Sequence, residues 1–276
     1  SDVYKRQPQE THRHDESSYI HCRTRSGFYG NTGGSHGNAD AALGACRERL
    51  CGSQRRSGPR AVRGRIVLVR GDRTIAGSRP ERDFRAEPPD TLDDAVAETQ
   101  RVLDRQDGPT VLVGHSFSGM IVTEVGADPK VTALVYVAAR APDAGEDYTA
   151  LARNYPTPPA TSGIVFDGDW GRLSEEAFLR DFGGDLPPEE ARVLYAVQQP
   201  FKKSLTTEKT TNAAWRTKPS FYAVSTQDRT INPDLERFMA KRMGAKTIEI
   251  EASHLALISH PDAITNLILE ALAAAA

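Results

Sequence analysis

Between Thr110 and Gly119 the chain passes without a spacer from a strand pattern, Thr110-Val111-Leu112-Val113, into the tight sequence Gly114-His115-Ser116-Phe117-Ser118-Gly119. This junction limits the possible folds more than any other stretch. Four β-branched or apolar residues in a row, with no polar alternation, read as a strand covered on both faces, as in parallel sheets flanked by helices. Small residues at Gly114, Ser118 and Gly119 let the strand and a following helix approach closely across a sharp turn. A serine at that turn, Ser116, raises its hydroxyl above the sheet. The arrangement is that of a nucleophile elbow, except that Ser118 stands where the G-x-S-x-G pattern has its second glycine.

From Arg65 onward the same alternation of strand and helix recurs, which predicts an α/β fold with a mostly parallel central sheet and helices on both faces. Ile66 to Val69, Val131 to Val137, Phe221 to Val224 and Thr247 to Ile250 read as further strands. Thr91 with Asp94 three residues on predicts a capped helix that buries Leu92, Val96, Val102 and Leu103. Asn232-Pro233 opens another, with Leu235, Phe238, Met239 and Met243 on its apolar face and Gly244 as its stop. A last helix starts near Pro261 and buries Ile264, Leu267, Ile268 and Leu272, and Ala273 to Ala276 read as its fraying end. Residues 141 to 215 break the rhythm with prolines and aromatics and read as an inserted helical lid, with helices opening at Ser174 and after Leu186-Pro187-Pro188. The sheet core then comprises residues 64–140 and 216–276.

Residues 1–63 stand apart. Their only Val, Ile, Leu or Phe residues are Val3, Ile20, Phe28, Leu43, Leu50 and Val62, too few to bury a core. They carry 11 Lys+Arg against 6 Asp+Glu, whereas the remainder carries 24 against 31. The opening Ser1 to Gln7 resembles an adapter-derived tail, and the Arg/Ser/Gly-rich run after it reads like a shifted frame, so the segment is expected to be disordered or non-native. His12 and His14 with Cys22, Cys46 and Cys51 match no zinc-ligand spacing, and no glycine-rich phosphate loop opens a helix, so neither a metal nor a cofactor is expected. The chain's net charge of -2 points to a small-molecule partner rather than nucleic acid or a membrane surface. Without an apolar span or secretory pattern, a cytoplasmic location is the expectation.

A serine hydroxyl is a weak nucleophile near neutral pH and needs a base to take its proton and a carboxylate to orient that base. Beyond residue 63 the histidines are His115, His254 and His260. His115 lies in the elbow and points away from the hydroxyl, and His260 opens the final helix. His254, on a loop between a strand and that helix, is the candidate base. Asp228, after the strand Phe221 to Val224, is the candidate acid, with Asp143 as runner-up.

These residues also carry a resemblance. Asp107 to Ser116, Val135-Tyr136-Val137-Ala138 and Ala252 to Ser259 look like the bacterial α/β-hydrolase family related to plant methylesterases and hydroxynitrile lyases, over residues 91–276. The resemblance implies a cofactor-free serine triad with Ser116, Asp228 and His254 in its three positions, in the chain order Ser, Asp, His of that fold. It implies an oxyanion hole built from the Phe117 amide and a second amide after a His-Gly pair. Here Arg70-Gly71 stands in place of that pair and the second donor falls on Asp72, whose carboxylate is unfavourable beside a developing oxyanion. Only 40 residues separate Val69 from Thr110 where two strand-helix-strand units need roughly 60, so one strand and one helix of the pattern are expected to be missing. The expected activity is hydrolysis of a small carboxylic ester. The alternatives are a hydroxynitrile-lyase-like carbon–carbon lyase and a non-catalytic small-molecule-binding protein or inactive remnant of the fold. Leu255 weighs against the lyase, whose branch carries a lysine there.

Overall fold

The computed structural model describes residues 65–69, 74–75 and 90–274. Its strands are β1 (Arg65–Val69), β2 (Thr74–Ile75), β3 (Thr110–His115), β4 (Val131–Val137), β5 (Ile164–Asp167), β6 (Trp170–Leu173), β7 (Phe201–Lys202), β8 (Ser220–Ser225) and β9 (Lys246–Ile250). The main helices are α1 (Leu92–Asp104), α2 (Ser118–Val125), α3 (Tyr148–Ala152), α4 (Pro188–Ala196), α5 (Pro233–Arg242), α6 (Ala256–Ser259) and α7 (Pro261–Ala274). The central sheet has the order β2-β1-β3-β4-β8-β9. All neighbours in it are parallel except β2, which turns back against the outer edge of β1.

The unbroken apolar runs follow from burial on both sides. Along β3 and β4, Val111, Val113, Ala133, Val135 and Val137 face α7, where they meet Ile264, Leu267 and Ile268. The alternate residues Leu112, Leu134 and Tyr136 face the opposite layer, packing with Leu92 and Leu103 of α1, Met120 and Ile121 of α2, and Leu235 and Met239 of α5. Two apolar layers leave β3 and β4 no face for water, so polar alternation has no place there, whereas the edge strand β9 exposes Lys246, Thr247 and Glu249.

The short span between Val69 and Thr110 has a counterpart in the topology. β1 lies directly against β3, Val69 opposite Gly114, and the two-residue β2 occupies β1's other edge. Helix boundaries follow their chemistry. The Thr91 hydroxyl accepts from the Asp94 amide at 3.1 Å to open α1, the Asn232 side chain accepts from the Asp234 amide at 2.9 Å to open α5, and Gly244 takes φ +62° just beyond α5. Two side-chain assignments need correction. Val96 and Val102 only border the α1 core, which is filled by Leu92, Ala95, Thr99 and Leu103. Phe238 is 39 % exposed. The buried stripe of α5 runs through Leu235, Glu236, Met239 and Ala240, so position 238 falls at its margin, 6.3 Å from the Tyr155 ring with the Arg242 guanidinium over it.

Residues 141–215 hold α3, a helical turn at Glu175–Ala177 that continues as a π-helical stretch, Phe178–Phe182, and α4. The Ser174 hydroxyl and Pro188 open two of these helices at the expected places. The segment also contains a small antiparallel sheet, β5-β6-β7, whose two- to four-residue strands show no alternation long enough to read from sequence.

Candidate active site

Ser116 follows β3, flanked by parallel β1 and β4, and takes φ +54°, a left-handed conformation rare for a residue with a side chain. Three backbone bonds hold it there: its amide donates to the Val137 carbonyl at 3.3 Å, and its carbonyl accepts from Gly119 at 3.1 Å and from Arg140 at 2.9 Å. The small neighbours are required by contact. A Cβ on Gly119 would come within 2.0 Å of the Arg140 carbonyl, and one on Gly114 within 2.8 Å of the Ser118 carbonyl. Ser118 is buried in the first turn of α2, and its hydroxyl has no partner among the described residues. The elbow therefore tolerates serine at this position sterically but leaves its oxygen unsatisfied.

The Ser116 hydroxyl lies 2.7 Å from His254 Nε2, and His254 Nδ1 lies 2.5 Å from Asp228 Oδ2. With Nδ1–H donated to the carboxylate, Nε2 is left as the acceptor for the serine proton. His254 and Asp228 are both buried. The other Asp228 oxygen accepts from the Thr230 amide at 2.6 Å and the Ile231 amide at 3.0 Å. Burial pushes the Asp228 carboxyl up, but the adjacent imidazole and these two amides outweigh it and hold the group below the ordinary carboxylate range. Ser116, Asp228 and His254, separated by up to 138 positions in sequence, thus form one hydrogen-bonded chain.

The remaining sequence candidates fall elsewhere. Asp143 is gripped by Arg216 through both carboxylate oxygens and takes no part in this chain. His115 donates from Nε2 to the His254 carbonyl at 2.8 Å, so it braces the loop that carries the base. The His260 ring bonds the Ser259 hydroxyl at 2.9 Å. The Phe117 amide follows the nucleophile at the head of α2. Asp72 lies outside the described residues, as do His12, His14, Cys22, Cys46 and Cys51. Among the described residues no three His, Cys, Asp or Glu side chains gather as a metal site needs, and no helix is long and apolar enough to cross a membrane.

Several contributors escaped the sequence reading. The Phe182 ring lies 4.8 Å from the His254 ring and covers it from the inserted segment. The Ser253 hydroxyl donates to the Asp185 carboxylate and contacts the Phe182 carbonyl at 3.1 Å, tying that segment to the residue before the base. Leu255, which the sequence already singles out, packs with Leu186 and Ala191 beneath the same segment. Glu236 is fully buried next to Asp228, with Oε2 accepting from the Ser225 amide at 3.1 Å. Burial and the Asp228 carboxylate push it well above its ordinary value, which favours its neutral form beside Asp228. One signal was legible: position 236 falls on the buried stripe of its helix, three residues before Met239 and four before Ala240.

The parallel sheet with helices on both faces, and a serine raised from a strand-to-helix turn near its middle, define the α/β-hydrolase class. The model of the alpha/beta hydrolase family matches residues 45–267, most of the chain, and the chain belongs to that family. The match begins within the segment that composition sets apart. The alpha/beta hydrolase nvfD of Aspergillus novofumigatus (strain IBT 16806) is 26% identical over 175 residues, 58% of this chain and 69% of that protein. Among solved structures, polyneuridine aldehyde esterase is similar with a TM-score of 0.55 at 19% identity, covering 66% of this chain and 79% of that one. A pyrethroid hydrolase from Sphingobium faniae JZ-2 gives 0.54 at 20% identity, covering 66% and 78%. At such identities the structural likeness is one of fold.

Proposed function

We propose that the protein is a serine hydrolase that cleaves a small carboxylic ester through an acyl-enzyme intermediate. The observation that carries this reading is the continuous bond from Ser116 through His254 to Asp228 beneath a left-handed serine. Ser116 Oγ attacks the ester carbonyl as its proton passes to His254 Nε2. Asp228 holds Nδ1–H and stabilises the imidazolium that forms. The Phe117 amide donates to the oxygen that gains charge, and the alcohol departs with the proton from Nε2. Water then attacks the acyl carbon, gives a proton back to His254, and releases the acid and Ser116. Structural neighbours named as an esterase and as a pyrethroid hydrolase support an ester as the substrate class.

Leu255 favours ester cleavage over carbon–carbon lysis. It is buried and apolar beside the base, so no ammonium is available there to stabilise a cyanide-like leaving anion. The test uses short-chain acetate and butyrate esters, mandelonitrile, and a fluorophosphonate label. Wild-type protein is expected to hydrolyse the esters, to spare the cyanohydrin and to take the label. Ser116→Ala is expected to lose label and roughly four or more orders of magnitude in turnover. Cyanohydrin cleavage without esterase activity would replace this reading by the lyase, and labelling that persists in the variant would remove Ser116 from the nucleophile's role.

A further inference from the structure

Arg140 leaves the carboxyl edge of β4 next to the nucleophile, with its amide bonded to the Ser116 carbonyl at 2.9 Å. Its guanidinium carbon lies 5.7 Å from the centre of the Phe117 ring and 4.7 Å from that of Tyr148. The cation therefore flanks the ring of the residue that follows Ser116. The side chain is only partly exposed.

The surrounding acids are already committed. Asp143 is held by Arg216, Glu146 by Arg242 at 2.8 Å, and Asp228 by His254, while Asp147 accepts from the Ala150 amide at the head of α3. No described carboxylate or hydrogen-bond acceptor meets the Arg140 guanidinium; two aromatic faces are its partners. The contrast with the other arginines is direct. Carboxylates raise Arg180, Arg216 and Arg237 above the ordinary value, whereas burial lowers Arg140. A half-buried cation whose donors meet no described acceptor gains charge-assisted hydrogen bonds when an anion arrives. Its planar fork matches a carboxylate in two parallel bonds, and two aromatic rings lie beside it. Ligands of open α/β sheets bind at this carboxyl edge.

We propose that the Arg140 guanidinium, held over Phe117 and Tyr148 beside Ser116, receives a carboxylate carried by the ester, so that the preferred substrate is an anionic half-ester or an ester of a carboxylated alcohol. The inference rests on the hydrolase reading above and narrows its substrate class. A short carbon spacer or a ring separates this carboxylate from the scissile carbonyl.

Two matched pairs test it: monomethyl glutarate against methyl 5-methylhexanoate, and 4-acetoxybenzoate against 4-isopropylphenyl acetate, in which an isopropyl group replaces the carboxylate. Wild-type kcat/KM is expected to favour the charged member of at least one pair by about tenfold or more, as the loss of a charge-assisted hydrogen bond implies. In R140Q and R140L that ratio is expected to fall to one or below. The wild-type ratio decides the matter even where the variants do not fold. Equal or faster cleavage of the neutral member in both pairs overturns the inference and leaves the hydrolase reading intact. If no ester is cleaved, calorimetric titration of monomethyl glutarate into S116A and into the S116A/R140Q double variant decides separately. Binding that depends on Arg140 sustains the carboxylate site without the hydrolase, and absent or Arg140-independent binding overturns it.

Discussion

At the scale of single residues, the candidate site combines two buried carboxyl groups whose surroundings push them in opposite directions. Asp228 receives an imidazole N–H and two amides, whereas Glu236 receives one amide and sits beside Asp228, and like charges that close are not both ionised in a buried setting. The consequence for stability has a definite sign. Glu236 is raised, so the native state keeps a proton that the unfolded chain releases above its ordinary value of 4.5. Native stability from this group is therefore fully present below that pH and declines as pH rises toward the native value, by up to about 1.4 kcal/mol per pH unit. Glu236→Gln removes the decline while preserving the acceptor for Ser225. The stability difference between variant and parent is expected to grow in the variant's favour from pH 5 to pH 8, as measured by urea denaturation at each pH. A difference that stays flat over that range would mean that Glu236 is ionised in the native protein. Asp228 runs the other way: its lowered value contributes stability above about pH 4 that is lost as pH falls through the native value.

At the scale of elements, the elbow depends on the closeness of β3, α2 and β4. Gly119 sits against the Arg140 backbone, which cannot yield as a flexible side chain would. Gly119→Ala is expected to cost at least the upper part of the usual range for overpacking, about 3 kcal/mol, and to lower the melting temperature by roughly 6 to 12 °C in calorimetry. Ser118→Ala is the informative partner, because it removes a buried hydroxyl without a partner and adds no volume. It is expected to leave stability unchanged or to raise it by about 1 kcal/mol. The inserted segment depends on a different joint. Asp181 is gripped by Arg180 and Arg229, and Asp185 by Ser253, so residues next to Asp228 and His254 hold the segment that covers the base. Ser253→Ala is expected to speed amide exchange across residues 178–186 and to lower kcat on a neutral ester several-fold, with little change in global stability. Unchanged exchange would show that this joint does not control the cover.

At the scale of the whole molecule, two apolar layers enclose β3, β4 and β8, and among the described residues those that fill them lie after position 90. Removal of residues 1–63 is therefore expected to leave the melting temperature within a few degrees of the full chain, on the compositional argument that six large apolar residues cannot anchor the segment. A drop of more than about 10 °C on trimming would place part of the core there.

What the sequence determined by itself was local or periodic. The strand runs, the Thr91 and Asn232 caps, the α7 stripe and the Gly114-x-Ser116 turn each follow from residues within a few positions of one another, where propensity and sterics act directly. The three polar residues of the site could be named because motif, loop placement, chain order and family resemblance narrowed them to few candidates. Tertiary structure alone decided which groups meet. It set Asp143 against Arg216, turned His115 to a carbonyl, buried Glu236 beside Asp228, laid Phe182 over His254 and left Arg140 facing rings instead of acids. The physical reason is that a charged or polar side chain has no preference written in its own neighbourhood; its protonation, partner and exposure are set by whatever the fold brings within a few ångströms, often from strands and loops far along the chain.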